Sequence, residues 1–250
     1  MIQREIYAIW LREVKKALSD KWSLVVSVIL PLVIIFVIGI GIDSFVNLKN
    51  LGINYTDFLG PGVIAIMSMG GALSIGHSII EDKKGFIKEM LVAPISRASI
   101  FIGKILGEIT VYFVLTLIVV LIFLTFIKSL SLVAVLWTLL FMVLIAFGFY
   151  GLGIVLSFLF SKSKTYNVIN GLIMSYLIFL SGAFFPVKGL PMFLKIISLV
   201  NPLTYGVDAL RNIITGYGEF NLFFNLLFLI IFGVLMVAIG SFAFKRTIEA

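Results

Sequence analysis

Uncharged apolar runs dominate this sequence, and the longest of them constrains the fold most. Residues 129–161 contain no charged side chain and are bounded by Lys128 and Lys162. A helix needs about 20 predominantly apolar residues to cross the hydrocarbon core of a bilayer. Because 61% of the chain is hydrophobic and only 12% is charged, a soluble monomer would expose large apolar patches. A soluble or disordered chain is therefore excluded.

Six stretches are long and apolar enough to cross a membrane. They cover residues 23–42, 58–80, 109–127, 132–160, 165–187 and 220–244. The fourth run is longer than one crossing requires, and we expect it to tilt or to kink near Gly148, Gly151 and Gly153. The predicted fold class is all-α: a polytopic membrane protein with six transmembrane helices in a single transmembrane domain, residues 1–250.

The lysines and arginines are distributed unevenly between the two sides of this predicted topology. Fourteen lie on the side that holds both termini, and five lie on the other side. Loops rich in Lys and Arg stay in the cytoplasm, so both termini are expected to be cytoplasmic, in a multi-pass protein of the cell (plasma or inner) membrane. The net charge of +7 therefore marks a membrane surface and does not indicate nucleic-acid binding.

The residue types that perform most enzyme chemistry are scarce. The chain has no cysteine and one histidine, which excludes a disulfide framework, a thiolate nucleophile and a Cys/His metal cluster. A phosphate-binding loop of the G-x-x-x-x-G-K-[ST] type is absent, because Ala98 and Ile105 replace two of its residues around Gly103 and Lys104. We therefore expect no catalytic residue, no metal and no cofactor in this chain, and His77 is expected to make helix contacts rather than relay protons.

Residues 1–21 have the pattern of an amphipathic helix. Apolar side chains recur at i, i+3 and i+4 and form one stripe that includes Trp10, whereas Arg12 and Lys16 lie elsewhere on the helix. A basic amphipathic helix of this kind lies in the headgroup plane of a membrane. Its stripe could serve as an interfacial anchor or as a docking surface for a partner.

The segment 81–97 between the second and third predicted spans is also amphipathic. Phe86, Ile87, Met90 and Leu91 fall on one face of a short helix that Pro94 must end. Four large apolar side chains on a charged cytoplasmic loop need a cover. The membrane surface or a cytoplasmic partner protein could provide it.

The fifth predicted span carries a stripe of small and amide residues. Such a stripe indicates packing between membrane helices, and a lining of the transport pathway is the alternative. The candidate residues of this face are Asn167, Asn170, Met174, Ser175 and Ser181.

A broken hairpin, residues 188–216, follows the fifth span on the external side. Each half is too short to span a membrane, which is typical of a re-entrant or interfacial element. Asp208 and Arg211, at i and i+3, are expected to be structural rather than substrate contacts. The candidate residues here are Phe184, Phe185, Pro186, Asn201, Pro202, Tyr205, Asp208 and Arg211.

Three strings together resemble the ABC-2 type permeases, the membrane subunits of drug, lipid and polysaccharide exporters. They are EMLVAPISR at 89–97, SGAFFP at 181–186 and NPLTYGVDALR at 201–211. The resemblance covers essentially the whole chain, because the helix order also agrees. It implies an export pathway formed by two permease copies, identical or different, and an amphiphilic substrate such as a drug, a lipid or a lipid-linked glycan.

The same resemblance implies that ATP and Mg²⁺ bind to a separate ABC ATP-binding subunit. That subunit would contact the N-terminal helix and the first cytoplasmic loop, while the external hairpin would cap the exit of the pathway. The implied ATPase-coupling residues are Glu81, Phe86, Ile87, Lys88, Glu89, Met90, Leu91, Pro94 and Arg97.

Two other classes of function stay open at this point. An ion-coupled secondary transporter usually places ionisable groups inside the membrane, and the middle of the predicted spans has none. A membrane assembly protein without transport activity would need neither the amphipathic loop nor the broken hairpin. The aromatic content of 14% suits an amphiphilic substrate but is also common in lipid-facing helices.

Overall fold

The computed structural model describes residues 2–43, 53–84, 97–126, 131–160 and 162–249, and every regular element in these ranges is helical. The predicted all-α class is therefore confirmed. The helices, in chain order, are α1 (Ile2–Ser19), α2 (Lys21–Asp43), α3 (Tyr55–Lys84), α4 (Arg97–Phe126), α5 (Leu132–Leu159), α6 (Ser163–Phe179), α7 (Met192–Val200), α8 (Pro202–Thr215) and α9 (Leu222–Glu249).

Five of the described helices, α2, α3, α4, α5 and α9, are long and apolar enough to cross a membrane. The predicted fifth crossing, residues 165–187, differs from the expectation because α6 ends at Phe179 after 17 residues. Gly182 then adopts a left-handed conformation with φ of 78°, which residues with a Cβ rarely tolerate. The prediction of one continuous span through residue 187 is therefore wrong.

The other predicted spans match observed helices closely, with one clear difference at the start of the third. α4 begins at Arg97 rather than at residue 109. Lys104 lies inside this extra helical length and is buried, and its Nζ donates to the carbonyl oxygen of Ser78 at 2.9 Å. Hydropathy alone places the start of this helix after Lys104, because Lys104 is charged. The hydrogen bond to α3 allows Lys104 to be buried inside a longer helix.

Helix α3 lies at the centre of the bundle. In its most apolar 18-residue window, 67% of the residues are buried, compared with 17% for α2 and for α9. α3 packs against α4, α5, α6 and α8. Its contact with α5 is close at Gly76, where an added Cβ would lie 2.4 Å from the carbonyl oxygen of Gly153. Gly153 is one of the three glycines expected to kink α5. It permits this close packing, and α5 is one continuous helix from Leu132 to Leu159.

The two short helices before α9 have different environments. α8 packs against α3, α5 and α9, and every residue from Leu203 to Arg211 is buried. α7 instead leaves apolar side chains exposed, with Met192 at 72% and Val200 at 69%. α8 is therefore part of the core of the bundle, whereas α7 lies on its surface.

Candidate functional site

The N-terminal helix is packed tightly on the first turns of α4. An added Cβ at Gly103 would lie 2.8 Å from the carbonyl oxygen of Ile6, and one at Gly107 would lie 2.5 Å from Cβ of Glu13. Ile9, which faces Gly103, is only 2% exposed. Two glycines four residues apart thus form a groove on α4 that admits α1, and we call this contact the α1–α4 seat.

Polar contacts fix the register of the α1–α4 seat. Nε1 of Trp10 donates to Oγ1 of Thr110 at 3.1 Å. Glu13 is buried, and its carboxylate receives a hydrogen bond from Arg12 at 2.7 Å. Lys16 is exposed. Trp10 and Arg12 therefore have structural contacts, which the sequence pattern did not predict.

The predicted apolar stripe of residues 1–21 is turned only partly toward the protein. Ile2 and Leu18, both on the stripe, are 60% and 58% exposed, whereas Glu13 is buried although the stripe leaves it out. α1 is rotated so that the side that fits against Gly103 and Gly107 faces α4. The spacing of these two glycines is the sequence signal for this orientation.

The predicted coupling segment connects the two helices that meet at this end of the bundle. Phe86, Ile87, Lys88, Glu89, Met90, Leu91 and Pro94 lie outside the described residues. At the flanks, Glu81 in α3 accepts a hydrogen bond from Oγ of Ser163, and Arg97 begins α4. We call the end of the bundle that holds α1, Glu81 and Arg97 the basal end.

A polar cavity of about 460 Å³ opens at the basal end between α1, α2, α3 and α4. Its lining includes two acidic residues, Glu13 and Glu108, together with Lys16 and His77. Nδ1 of His77 is buried and has no hydrogen-bond partner in the described part of the chain. An apolar cavity of about 490 Å³ adjoins it, and Leu24, Val111 and Leu115 line both.

Helix α6 presents the predicted small and amide stripe largely to the outside. Asn167 and Ser175 are exposed, and no atom lies within 4 Å of a Cβ built on Gly171 between them. Asn170 and Met174 are half-buried and contact each other, with 3.7 Å between Nδ2 and Sδ. Met174 also packs toward α3, where its Cε lies 3.4 Å from a Cβ built on Gly70, so only part of the stripe faces outward.

Ser181 belongs to a different environment from the rest of this stripe. It is buried in the turn after α6, where its Oγ donates to the carbonyl oxygen of Ile178 at 2.9 Å and accepts from the amide of Ala183 at 3.3 Å. The expectation that Ser181 continues the α6 face is therefore wrong, because the helix ends before it.

Arg211 holds this turn against the core of the bundle. It is 2% exposed. Its Nε donates to the carbonyl oxygen of Phe58 at 3.1 Å, and its Nη2 donates to that of Gly182 at 2.9 Å and to that of Ala183 at 3.4 Å. The guanidinium carbon lies 3.6 Å from the ring centre of Phe58, a cation–π geometry.

Asp208 anchors the segment that leads into α9. Its carboxylate accepts hydrogen bonds from the amides of Glu219 at 2.6 Å and Phe220 at 3.1 Å, and from Nδ2 of Asn225 at 2.8 Å. Among the described residues no ion pair joins it to Arg211. The expected structural role of the two residues fits these contacts, but the expected local i, i+3 pairing does not.

The remaining residues of the predicted hairpin also make structural contacts. Asn201 caps α8 through Oδ1, which accepts from the amide of Leu203 at 2.9 Å, while its Nδ2 donates to the carbonyl oxygen of Leu177 at 2.8 Å. Tyr205 stacks on Phe228 with ring centres 3.9 Å apart. Pro202 is the first residue of α8. The carbonyl oxygen of Phe184 accepts a hydrogen bond from the hydroxyl of Tyr55. Phe185 is exposed, and Pro186 precedes a short 3₁₀ turn.

This architecture defines a multi-pass helical membrane protein. A family model described as "ABC-2 type transporter" matches residues 4–215. The chain therefore belongs to the ABC-2 type transporter family, a family of transport permeases, and the resemblance noted in the sequence is confirmed.

Three relatives support the same assignment, and each is named "Putative transport permease ycf38". The protein of Cyanophora paradoxa is 32% identical over 66% of this chain and 58% of its own length. The protein of Porphyra purpurea is 27% identical over 85% and 72%, and that of Pyropia yezoensis is 28% identical over 83% and 73%. The chain thus spans little more than half the length of the Cyanophora protein.

Proposed function

We propose that the chain is the permease subunit of an ATP-driven exporter. Two copies, identical or different, would form the translocation pathway in a cell membrane, and ATP with Mg²⁺ would be hydrolysed on a separate ABC ATP-binding subunit. The sequence has no phosphate-binding loop, so the free energy of hydrolysis has to reach this chain through contacts with another protein.

The α1–α4 seat carries this proposal. Both elements assigned to docking are connected to α4. The N-terminal helix packs on Gly103 and Gly107 of α4. The segment 81–97 is joined to α4 through the chain, because α4 begins at Arg97. A force applied to either element therefore acts on the same helix. This supports a mechanism in which closure of the ATPase tilts α3 and α4 as one unit.

The proposed topology places the basal end in the cytoplasm and crosses the membrane six times. Five crossings are the long apolar helices, and α6 with the turn that follows it would make the sixth. An even number of crossings keeps both termini on the side rich in Lys and Arg. α7 and α8 would then form the external hairpin, with α8 inserted into the bundle.

The substrate is proposed to be amphiphilic. The polar and apolar cavities beside α1 and α2 adjoin each other through Leu24, Val111 and Leu115. An amphiphile has the same two parts, and its polar part would face the basal end. The open polar face of α6 would pack against the second copy, since the described residues leave Asn167, Gly171 and Ser175 uncovered.

The first test is copurification of the tagged permease with a candidate ABC ATPase, followed by ATPase assays in lipid nanodiscs. Gly107→Leu should displace α1 from α4 and reduce substrate-stimulated ATPase activity about tenfold. The matched control is Gly41→Leu, because no atom lies within 4 Å of a Cβ at Gly41. Equal stimulation in both variants would remove the mechanical role of the α1–α4 seat.

The second test addresses the coupling segment. A triple variant, Phe86→Asp with Lys88→Glu and Glu89→Lys, should insert into the membrane normally but lose coupling between ATP hydrolysis and transport. Unchanged transport by this variant would contradict docking through residues 81–97. Transport driven by an ion gradient in vesicles that lack any ATPase would instead favour a secondary transporter.

A further inference from the structure

A third cavity lies on the membrane-facing side of the bundle and shares Tyr112 with the basal polar cavity. It has a volume of about 280 Å³ and is formed by residues of α3, α4, α5 and α9. Four aromatic rings contribute to its lining, those of Tyr112, Phe113, Phe147 and Tyr150. We call it the aromatic cleft.

The hydroxyl group of Tyr150 is the unusual feature of the aromatic cleft. Tyr150 is 5% exposed, and its Oη is buried without a hydrogen-bond partner among the described residues. Other tyrosine hydroxyls of the bundle are paired: Tyr166 donates to the carbonyl of Leu73 at 2.7 Å, and Tyr205 to that of Leu199 at 2.7 Å. A buried polar group without a partner costs free energy, so a bound molecule that brings a hydrogen-bond acceptor to the Tyr150 hydroxyl would be favourable.

The position of the cleft determines where such a partner comes from. Its lining on α4 and α5 lies entirely within the spanning windows Ile102–Phe126 and Leu132–Leu159. Two lining residues, Val143 and Phe147, are 49% and 44% exposed on the outer surface of α5. The cleft therefore opens toward lipid, and a ligand would enter it from the membrane.

We propose that the aromatic cleft binds a small, membrane-soluble aromatic molecule with one hydrogen-bond acceptor, to which the Tyr150 hydroxyl donates a hydrogen bond. Ligand sites are typically apolar and aromatic pockets with a few polar groups that fix orientation, and the cleft has this composition. A plain hydrocarbon chain would fill the volume but would leave the hydroxyl unpaired. The site is independent of the proposed ATP coupling and lies within one chain.

Benzophenone is a suitable probe, because it is an aromatic ketone that partitions into membranes and crosslinks to nearby C–H bonds under light. We expect saturable labelling of the purified permease in nanodiscs, located by mass spectrometry in residues 105–116 and 142–154. Tyr150→Phe should weaken labelling roughly three- to tenfold, the effect of one hydrogen bond, without lowering the melting temperature. Ala146→Phe should abolish it by filling the cleft.

Two controls make the result decisive. Tyr166→Phe removes a paired hydroxyl outside the cleft and should lower the melting temperature while leaving the labelling unchanged. Leu136→Phe enlarges an exposed residue of α5 that does not line the cleft and should change neither. The proposal would be overturned by equal labelling of wild type and Tyr150→Phe, by unsaturable labelling of all lipid-facing helices, or by a loss of stability in Tyr150→Phe like that of Tyr166→Phe.

Discussion

Replacing Arg211 with leucine should destabilise the protein by about 2–4 kcal/mol. The guanidinium makes two well-formed hydrogen bonds, at 3.1 Å to Phe58 and 2.9 Å to Gly182, and bonds from a charged donor contribute about 1.5–3 kcal/mol each. The desolvated cation–π contact at 3.6 Å adds about 2 kcal/mol. The cost of burying the charge offsets several kcal/mol of these favourable contributions. The leucine variant avoids that cost, but it leaves the carbonyl oxygens of the turn without a donor.

Arg211→Lys separates the contribution of the charge from that of the guanidinium geometry. A lysine keeps the positive charge but lacks the planar fork that joins two segments at once, so we expect an intermediate loss. Stability would be measured by SDS titration in mixed micelles. Lys195→Leu is the matched control, since Lys195 is half-buried on the neighbouring α7. An Arg211→Leu variant as stable as this control would refute the argument.

Three further predictions test the packing around this core. Gly76→Ala should lower the melting temperature despite better helix propensity, because its Cβ would lie 2.4 Å from the carbonyl oxygen of Gly153. Asn201→Ala should cost about 1–3 kcal/mol in SDS titration, since it removes both the cap of α8 and the bond to the Leu177 carbonyl. Burial raises the pKa of Glu219 from its ordinary 4.5, so the folded protein holds the proton of this carboxyl more tightly than the unfolded chain does. The free energy of unfolding should therefore fall as the pH rises from 4.5 through the raised pKa. Glu219→Gln should abolish this pH dependence.

The ends of several helices could be predicted because their signals are local. Asn201 followed by Pro202 indicates a cap and a first helical residue, and α8 begins there. Gly216 closes the same helix with φ of 76°. Length and apolarity likewise located the five long apolar helices, since a bilayer demands both properties from the segment itself.

The early end of α6 could not be predicted from hydropathy. Residues 165–187 are uncharged and mostly apolar in their second half, and the turn within them is held by Arg211, 29 residues beyond Gly182 in sequence. A window average cannot register a contact between distant segments. Gly182 can be read from the sequence, but its positive φ depends on Arg211, which binds its carbonyl oxygen.

The burial of Glu13 illustrates the same limit for helix faces. An amphipathic stripe predicts the buried side of a helix when its partner surface is uniformly apolar. The surface of α4 is shaped by Gly103 and Gly107 instead, so close approach decides the rotation of α1, and Arg12 neutralises the carboxylate that this rotation buries. Steric fit thus outweighed the hydrophobic pattern.

The exposed face of α6 connects the packing of this chain to its proposed assembly. Leu172 and Phe179, which are 65% exposed, can remain against lipid, because a bilayer solvates apolar side chains. The amide groups of the same helix have no such solvent. Ser175 satisfies its own hydroxyl on the carbonyl of Gly171, but Oδ1 of Asn170 is buried and unpaired within the described chain. A second copy packed on this face would supply close contact at Gly171 and polar partners for the exposed amide of Asn167, whereas Oδ1 of Asn170 is already covered by the chain itself. Polar satisfaction at Asn167 therefore supports the proposed dimer.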